Sequence, residues 1–163
     1  MIFGAVFLLA FAGGLAGLYS LRSELLTAAG MRERLPRIKW GTGLMALIAW
    51  LTVISGTYIV YPWYRARPPE GVTDLTGYPR YFLLDNPNLA GWHTFGMEWK
   101  EHVAWFAPIL ATAVFYIAWK YGPQLAENNS LRKMVMVLFI LAFAAAAIAG
   151  LFGALITKAA PIL

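Results

Sequence analysis

A chain of 163 residues with 60% apolar and only 13% charged side chains carries more apolar surface than a soluble domain of this size can bury. Its mean hydropathy of +0.62 points to lipid as the solvent for the excess. A net charge of +5 would fit a nucleic-acid binder, but the basic residues flank apolar runs as the positive-inside bias places them, so nucleic acid is excluded as a partner.

The absence of cysteine rules out disulfides, thiolate metal sites, iron–sulfur clusters and thioether-linked haem within this chain. Four apolar stretches follow in order, at about residues 2–21, 40–64, 102–121 and 134–157. Each is close to the roughly 20 residues that cross hydrocarbon as a helix, and far longer than a membrane β-strand. The expected fold class is therefore all-α: an integral membrane four-helix bundle forming a single membrane domain over residues 1–163, with an ordered outer loop at 65–101. The first stretch has no basic residue before it and Arg22 after it, the reverse of a secretory signal. It reads as a retained helix with its N-terminus outside. The segment Ser20 to Ala29 is expected to prolong that helix, with Gly30 ending it.

Orientation follows from Lys and Arg near the span ends. Arg22, Arg32, Arg34, Arg37 and Lys39 lie between spans one and two, and Lys120, Arg132 and Lys133 between spans three and four. Those two loops are assigned to the cytoplasm of a bacterial inner membrane, which puts both termini and the 65–101 loop outside. That loop balances four basic residues with Glu70, Asp74, Asp85, Glu98 and Glu101. Trp40, Trp63, Tyr64, Trp105, Trp119 and Tyr121 sit at span ends, where amphipathic rings prefer the headgroup region.

The second stretch leaves through Tyr58-Ile59-Val60-Tyr61-Pro62-Trp63-Tyr64-Arg65-Ala66-Arg67-Pro68-Pro69, a stiff, aromatic exit. Pro79, Pro87, Tyr78, Tyr81, Phe82 and Trp92 predict an ordered cap. Gly122-Pro123 marks a stop for the third helix, and Asn129-Ser130 a cap for the fourth. Gly13 and Gly17 form a GxxxG pair, while Ala142, Ala146, Gly150 and Ala154 repeat at four-residue spacing, with Ala149 and Gly153 beside them. Such small residues let helix backbones approach closely in lipid. They serve packing within the bundle or contact with protein subunits of a larger membrane complex. No internal repeat supports an inverted-repeat transporter.

Chemistry concentrates in Gly91-Trp92-His93-Thr94-Phe95-Gly96-Met97-Glu98-Trp99-Lys100-Glu101-His102, which holds both histidines. A helix beginning near Phe95 sets Glu98 and His102 one turn apart on one face, continued by Trp105, Ile109, Thr112 and Tyr116, with Glu101 at its edge. Pro108 frees the Ala104 carbonyl and predicts a kink. One reading is haem b bound through His102 and His93, with Arg65, Arg67 and Arg80 pairing the propionates. On one continuous helix the two imidazoles, nine residues apart, point in opposite directions. They could share a haem only if His93 lay on a folded-back segment, which Gly91 and Gly96 would permit. A second reading is a non-haem metal held by His93, Glu98, Glu101 and His102. A third is a polar collar without cofactor.

No ionisable residue lies in the middle of a span, which argues against an ion pump or ion-coupled transporter. No Ser/His/Asp set, phosphate loop or HExxH motif is present. Tyr61-Pro62-Trp63-Tyr64-Arg65 together with the Trp92–His102 block resembles a family of small bacterial four-span membrane proteins with no assigned activity. The overall plan is also similar to small four-helix b-type membrane cytochromes. That resemblance implies electron transfer, although histidines deep in paired helices are missing and no ligand carries over from it. The leading expectation is a redox subunit with one haem b near the outer face, His102 first and His93 second as ligand. It would pass electrons between a membrane quinone or neighbouring subunit and an outer-side partner. The rival is a cofactor-free accessory subunit of a membrane complex.

Overall fold

A computed structural model describes residues 2–22 and 27–160, the backbone alone at 2–5. Helix is the sole regular structure among these residues. In chain order the helices are α1 (Ile2–Tyr19), α2 (Ala28–Ser55), α3 (Tyr61–Tyr64), α4 (Pro79–Asp85), α5 (Glu98–Ala104), α6 (Phe106–Tyr121), α7 (Gln124–Glu127) and α8 (Asn129–Ala159). Wider π-helical turns at Gly56–Val60 and Trp92–Met97 join α2 to α3 and lead into α5. Three helical runs are long and apolar enough to cross a membrane: Ala28–Tyr64, Trp92–Tyr121 and Asn129–Ala159. They give the chain the make-up of an integral membrane protein. A shorter apolar helix covers Val6–Tyr19.

Several element boundaries differ from the sequence expectation for physical reasons. The first helix stops at Tyr19, where Ser20 turns its hydroxyl back onto the Gly17 carbonyl. Of the expected extension, residues 23–26 lie outside the described set, and Gly30 sits inside α2 instead of ending a helix. The second helical run starts at Ala28, not near Trp40, because its first three turns are basic and amphipathic and so carry no hydropathy signal. The third begins at Trp92, which shortens the connection after α3. Within that connection α4 starts on Pro79, a favoured first-turn residue.

Other signals hold. The helix breaks at Trp105, between α5 and α6, because Pro108 offers no N–H to the Ala104 carbonyl. It ends at Tyr121, before Gly122-Pro123. Helix α8 is capped by Asn128, whose Oδ1 accepts the Leu131 N–H at 2.9 Å, one residue before the expected cap. Arg132, counted above as a loop cation, is buried. It donates to the Leu125 and Ala126 carbonyls at 2.9 and 3.1 Å, satisfying the open end of α7.

The chain divides into two compact units, residues 1–49 with 107–144 and residues 50–106 with 145–163. The first unit centres on Phe139, packed with Leu18, Leu21, Val114, Leu125, Val135 and Phe143. Phe7 and Phe11 pack in tilted contact against Phe143 at 4.9 and 5.0 Å between ring centres. Ala46, Ala111 and Ala142 form a neighbouring small-residue contact among α2, α6 and α8. The glycine that makes close approach possible in α1 is Gly14, where a Cβ would collide with the Phe139 ring. The expected GxxxG pair is corrected accordingly: Gly13 faces open space and Gly17 only touches Ile38 at ordinary contact distance. On α8 the buried small residues are Ala142, Ala145 and Ala149, whereas Gly150 and Ala154 face outward. In the second unit, Tyr64, Leu83, Met97, Ile156 and Ala160 form the core, covered by Tyr61, Phe82, Leu89 and Trp92. Phe82, Leu83 and Leu89 therefore fold onto α3 and the end of α8.

Candidate functional site: a tyrosine–histidine–carboxylate cluster

Within the second unit, the π-helical turn at Trp92–Met97 shifts the helical phase so that His93, Gly96 and Met97 all face inward. His93 is 5% exposed. Its Nδ1 lies 2.9 Å from the Tyr64 hydroxyl at the end of α3, and its Nε2 lies 3.7 Å from Oε1 of Glu98. A carboxylate on the Nε2 side favours the tautomer with the proton there. Tyr64 then donates to the Nδ1 lone pair. The result is a short chain of polar groups running from a buried phenol through an imidazole to a half-exposed carboxylate.

Further charges surround this chain. The Arg80 guanidinium, from α4, acts electrostatically on both Tyr64 and His93, and its Nε is buried without a hydrogen-bond partner. Glu101 faces Tyr61, and its Oε1 is likewise buried and unpartnered. Lys100 neighbours Glu101 and lays its ammonium over Gly153 of α8, where a Cβ would sit 3.0 Å from Nζ. Gly153 thus serves as the floor under a lysine.

The expected site residues separate into two groups. His93, Glu98, Glu101 and Arg80 belong to the buried cluster. Arg65 is exposed and stacks over Tyr61 at 5.1 Å, while Arg67 is exposed on the connection to α4. The folded-back placement of His93 is not what the chain adopts, since His93 and His102 lie on one helical run. His102 is exposed, with Nδ1 2.8 Å from the Glu98 carbonyl. Glu98 therefore meets His102 through its backbone and His93 through its carboxylate, contrary to the expected Glu98–His102 side-chain pair. Among the described residues no three His, Asp or Glu side chains come together in a way that could hold a metal ion.

Sequence reasoning missed Tyr64, Tyr61 and Lys100. Tyr64 ends one apolar run and His93 precedes the next, so matching their depth across two antiparallel helices would have paired them. Lys100 had no such signal.

His102 has different chemistry. Because a carbonyl only accepts, Nδ1 carries the proton, and Nε2 has no hydrogen-bond partner among the described residues. Metal-ligating imidazoles are commonly oriented by this kind of hydrogen bond. Phe95, Trp99 and Phe106, all exposed, stand at helical spacing from it. Trp99 stacks on Phe95 and meets Phe152 of α8 edge-on. His102 thus presents its imidazole outward, whereas the His93 imidazole is engaged inside the cluster.

Helical runs of membrane-crossing length with a buried Tyr–His–carboxylate chain beside an exposed imidazole define the class: an all-helical integral membrane protein with one polar centre. Comparison with known families, characterised proteins and solved structures returns no match.

Proposed function

We propose that this chain is a membrane redox subunit that holds one haem b through His102. In this reading α1 provides the fourth span, both termini and the 65–91 connection lie outside a bacterial inner membrane, and the site is at the outer face. The observation that carries the reading is His102 itself, an exposed imidazole near exposed aromatic rings, with Nδ1 fixed to Glu98 and no hydrogen-bond partner on Nε2 among the described residues. When bound, the group would supply one-electron transfer between a membrane quinone or neighbouring subunit and an outer-side partner. Exposed Arg65 and Arg67 are the cations left for propionates, and Arg80 belongs to the buried cluster. The outward Gly150 and Ala154 offer a surface for a neighbouring subunit.

The test is a reduced-minus-oxidised absorption spectrum of protein purified with haem supplied during expression. Bands of b type are expected in the wild type and in His93→Ala, and lost in His102→Ala. A featureless wild-type spectrum, or bands that survive His102→Ala, would reject the reading. The rival, a cofactor-free accessory subunit, is favoured by one observation: the buried His93 is already hydrogen-bonded to Tyr64 and faces the Glu98 carboxylate. It predicts the featureless spectrum and co-purification with a larger membrane complex.

A further inference from the structure

The first unit carries a feature unrelated to the histidines. The first turns of α2 and the end of α6 enclose an open cavity of about 310 Å³. Its walls are Met31, Leu35, Pro36, Trp40 and Trp119, and its two polar lining residues are Arg32 and Lys39. Trp40 is 71% exposed and Trp119 49%, and the two indoles meet edge-on at 5.9 Å. Lys39 Nζ stands 5.5 Å over the Trp119 ring. Paired indoles with a cation directly above them mark the depth at which hydrocarbon gives way to headgroups.

We propose that this groove binds the headgroup of an anionic phospholipid, with the phosphate on Arg32 and Lys39 and the upper acyl chains along Trp40 and Trp119. Charge complementarity selects this occupant. Among the described residues the lining contains two cations and no carboxylate, and the nearest described acid along α2, Glu33, is paired with Arg37. Arg34 donates to the Ser20 carbonyl, whereas Arg32 is exposed with no hydrogen-bond partner among the described residues. A zwitterionic headgroup would place a second ammonium beside these cations and gain less. The volume suits a phosphoglycerol group plus its first methylenes, and the apolar walls suit acyl chain better than water. Basic pockets between membrane helices recognise lipid phosphates in this way.

The test uses purified full-length protein in mixed micelles with phosphatidylglycerol or phosphatidylcholine, each brominated on its acyl chains, and reads tryptophan quenching. Saturable quenching by phosphatidylglycerol is expected at about tenfold lower lipid fraction than by phosphatidylcholine. Arg32→Gln/Lys39→Gln should remove about tenfold of that preference, while Arg34→Gln/Arg37→Gln, with the same loss of charge, should change it less than about threefold. Arg32→Gln alone, at an exposed side chain, should lose about half the preference on a logarithmic scale and guards against misfolding of the double variant. Equal quenching by both lipids would overturn the proposal. So would equal losses in the two double variants, which would mean diffuse attraction to the surface and no groove.

Discussion

Tyr64 and His93 show how one hydrogen bond can determine what a histidine does. Both groups are buried, so removing the phenol hydroxyl leaves the Nδ1 lone pair without water to replace it. Tyr64→Phe is expected to destabilise the protein by about 1–3 kcal/mol, read as a lower thermal midpoint in detergent. Adding His93→Leu should cost less than the sum of the single changes, because the two residues share one interaction. Additive losses would mean that they act independently. Asp74 offers a second check, on the connection after α3. Its carboxylate accepts from the Thr76 N–H at 3.0 Å and the Thr76 hydroxyl at 2.7 Å, which holds its pKa below the usual carboxylate range. A depressed carboxylate contributes stability above its unfolded pKa and loses it as pH falls through the folded value. Thr76→Ala should therefore move the Asp74 titration upward in an NMR pH series, and an unmoved midpoint would discount the hydroxyl.

Among the elements, packing between α1 and α8 depends on a single missing side chain. Gly14 lies against the buried Phe139 ring, itself packed against Phe143 at 4.8 Å between ring centres. Gly14→Ala is expected to cost about 1–3 kcal/mol by overpacking. At Gly13, which faces open space, the same change should be neutral or stabilising through helix propensity. Thermal melts of the two variants in one detergent test this, and equal midpoints would remove the special role of Gly14. Hydropathy locates a helix but does not determine its phase, and here a π-helical turn that contains His93 alters that phase.

For the whole molecule, the testable matter is which side each connection faces. A chain without cysteine makes single-cysteine labelling clean. Thr73→Cys, in the connection before α4, is expected to react with a membrane-impermeant maleimide in intact spheroplasts. Ser130→Cys, at the start of α8, should react only in inverted vesicles. The opposite pattern would reverse the orientation drawn from the basic loops, and labelling of both from one side would remove a span between them.

Composition alone determined that the chain is helical and lipid-solvated, because 60% apolar residues in runs of span length leave water no adequate way to solvate them. The stops at Gly122-Pro123 and the break before Pro108 were equally legible, since proline acts on its own backbone wherever it falls. The importance of the Trp92–His102 block was visible because it holds both histidines beside two acids and a lysine. The division of labour within it was not. Whether a histidine faces a partner or the bilayer depends on helix phase and on a tyrosine 29 positions away. Only the tertiary structure set His93 inside with Tyr64 and Glu98 and left His102 exposed, with Nδ1 on the Glu98 carbonyl. Side-chain chemistry is written locally, but its accessibility is decided by what packs against it.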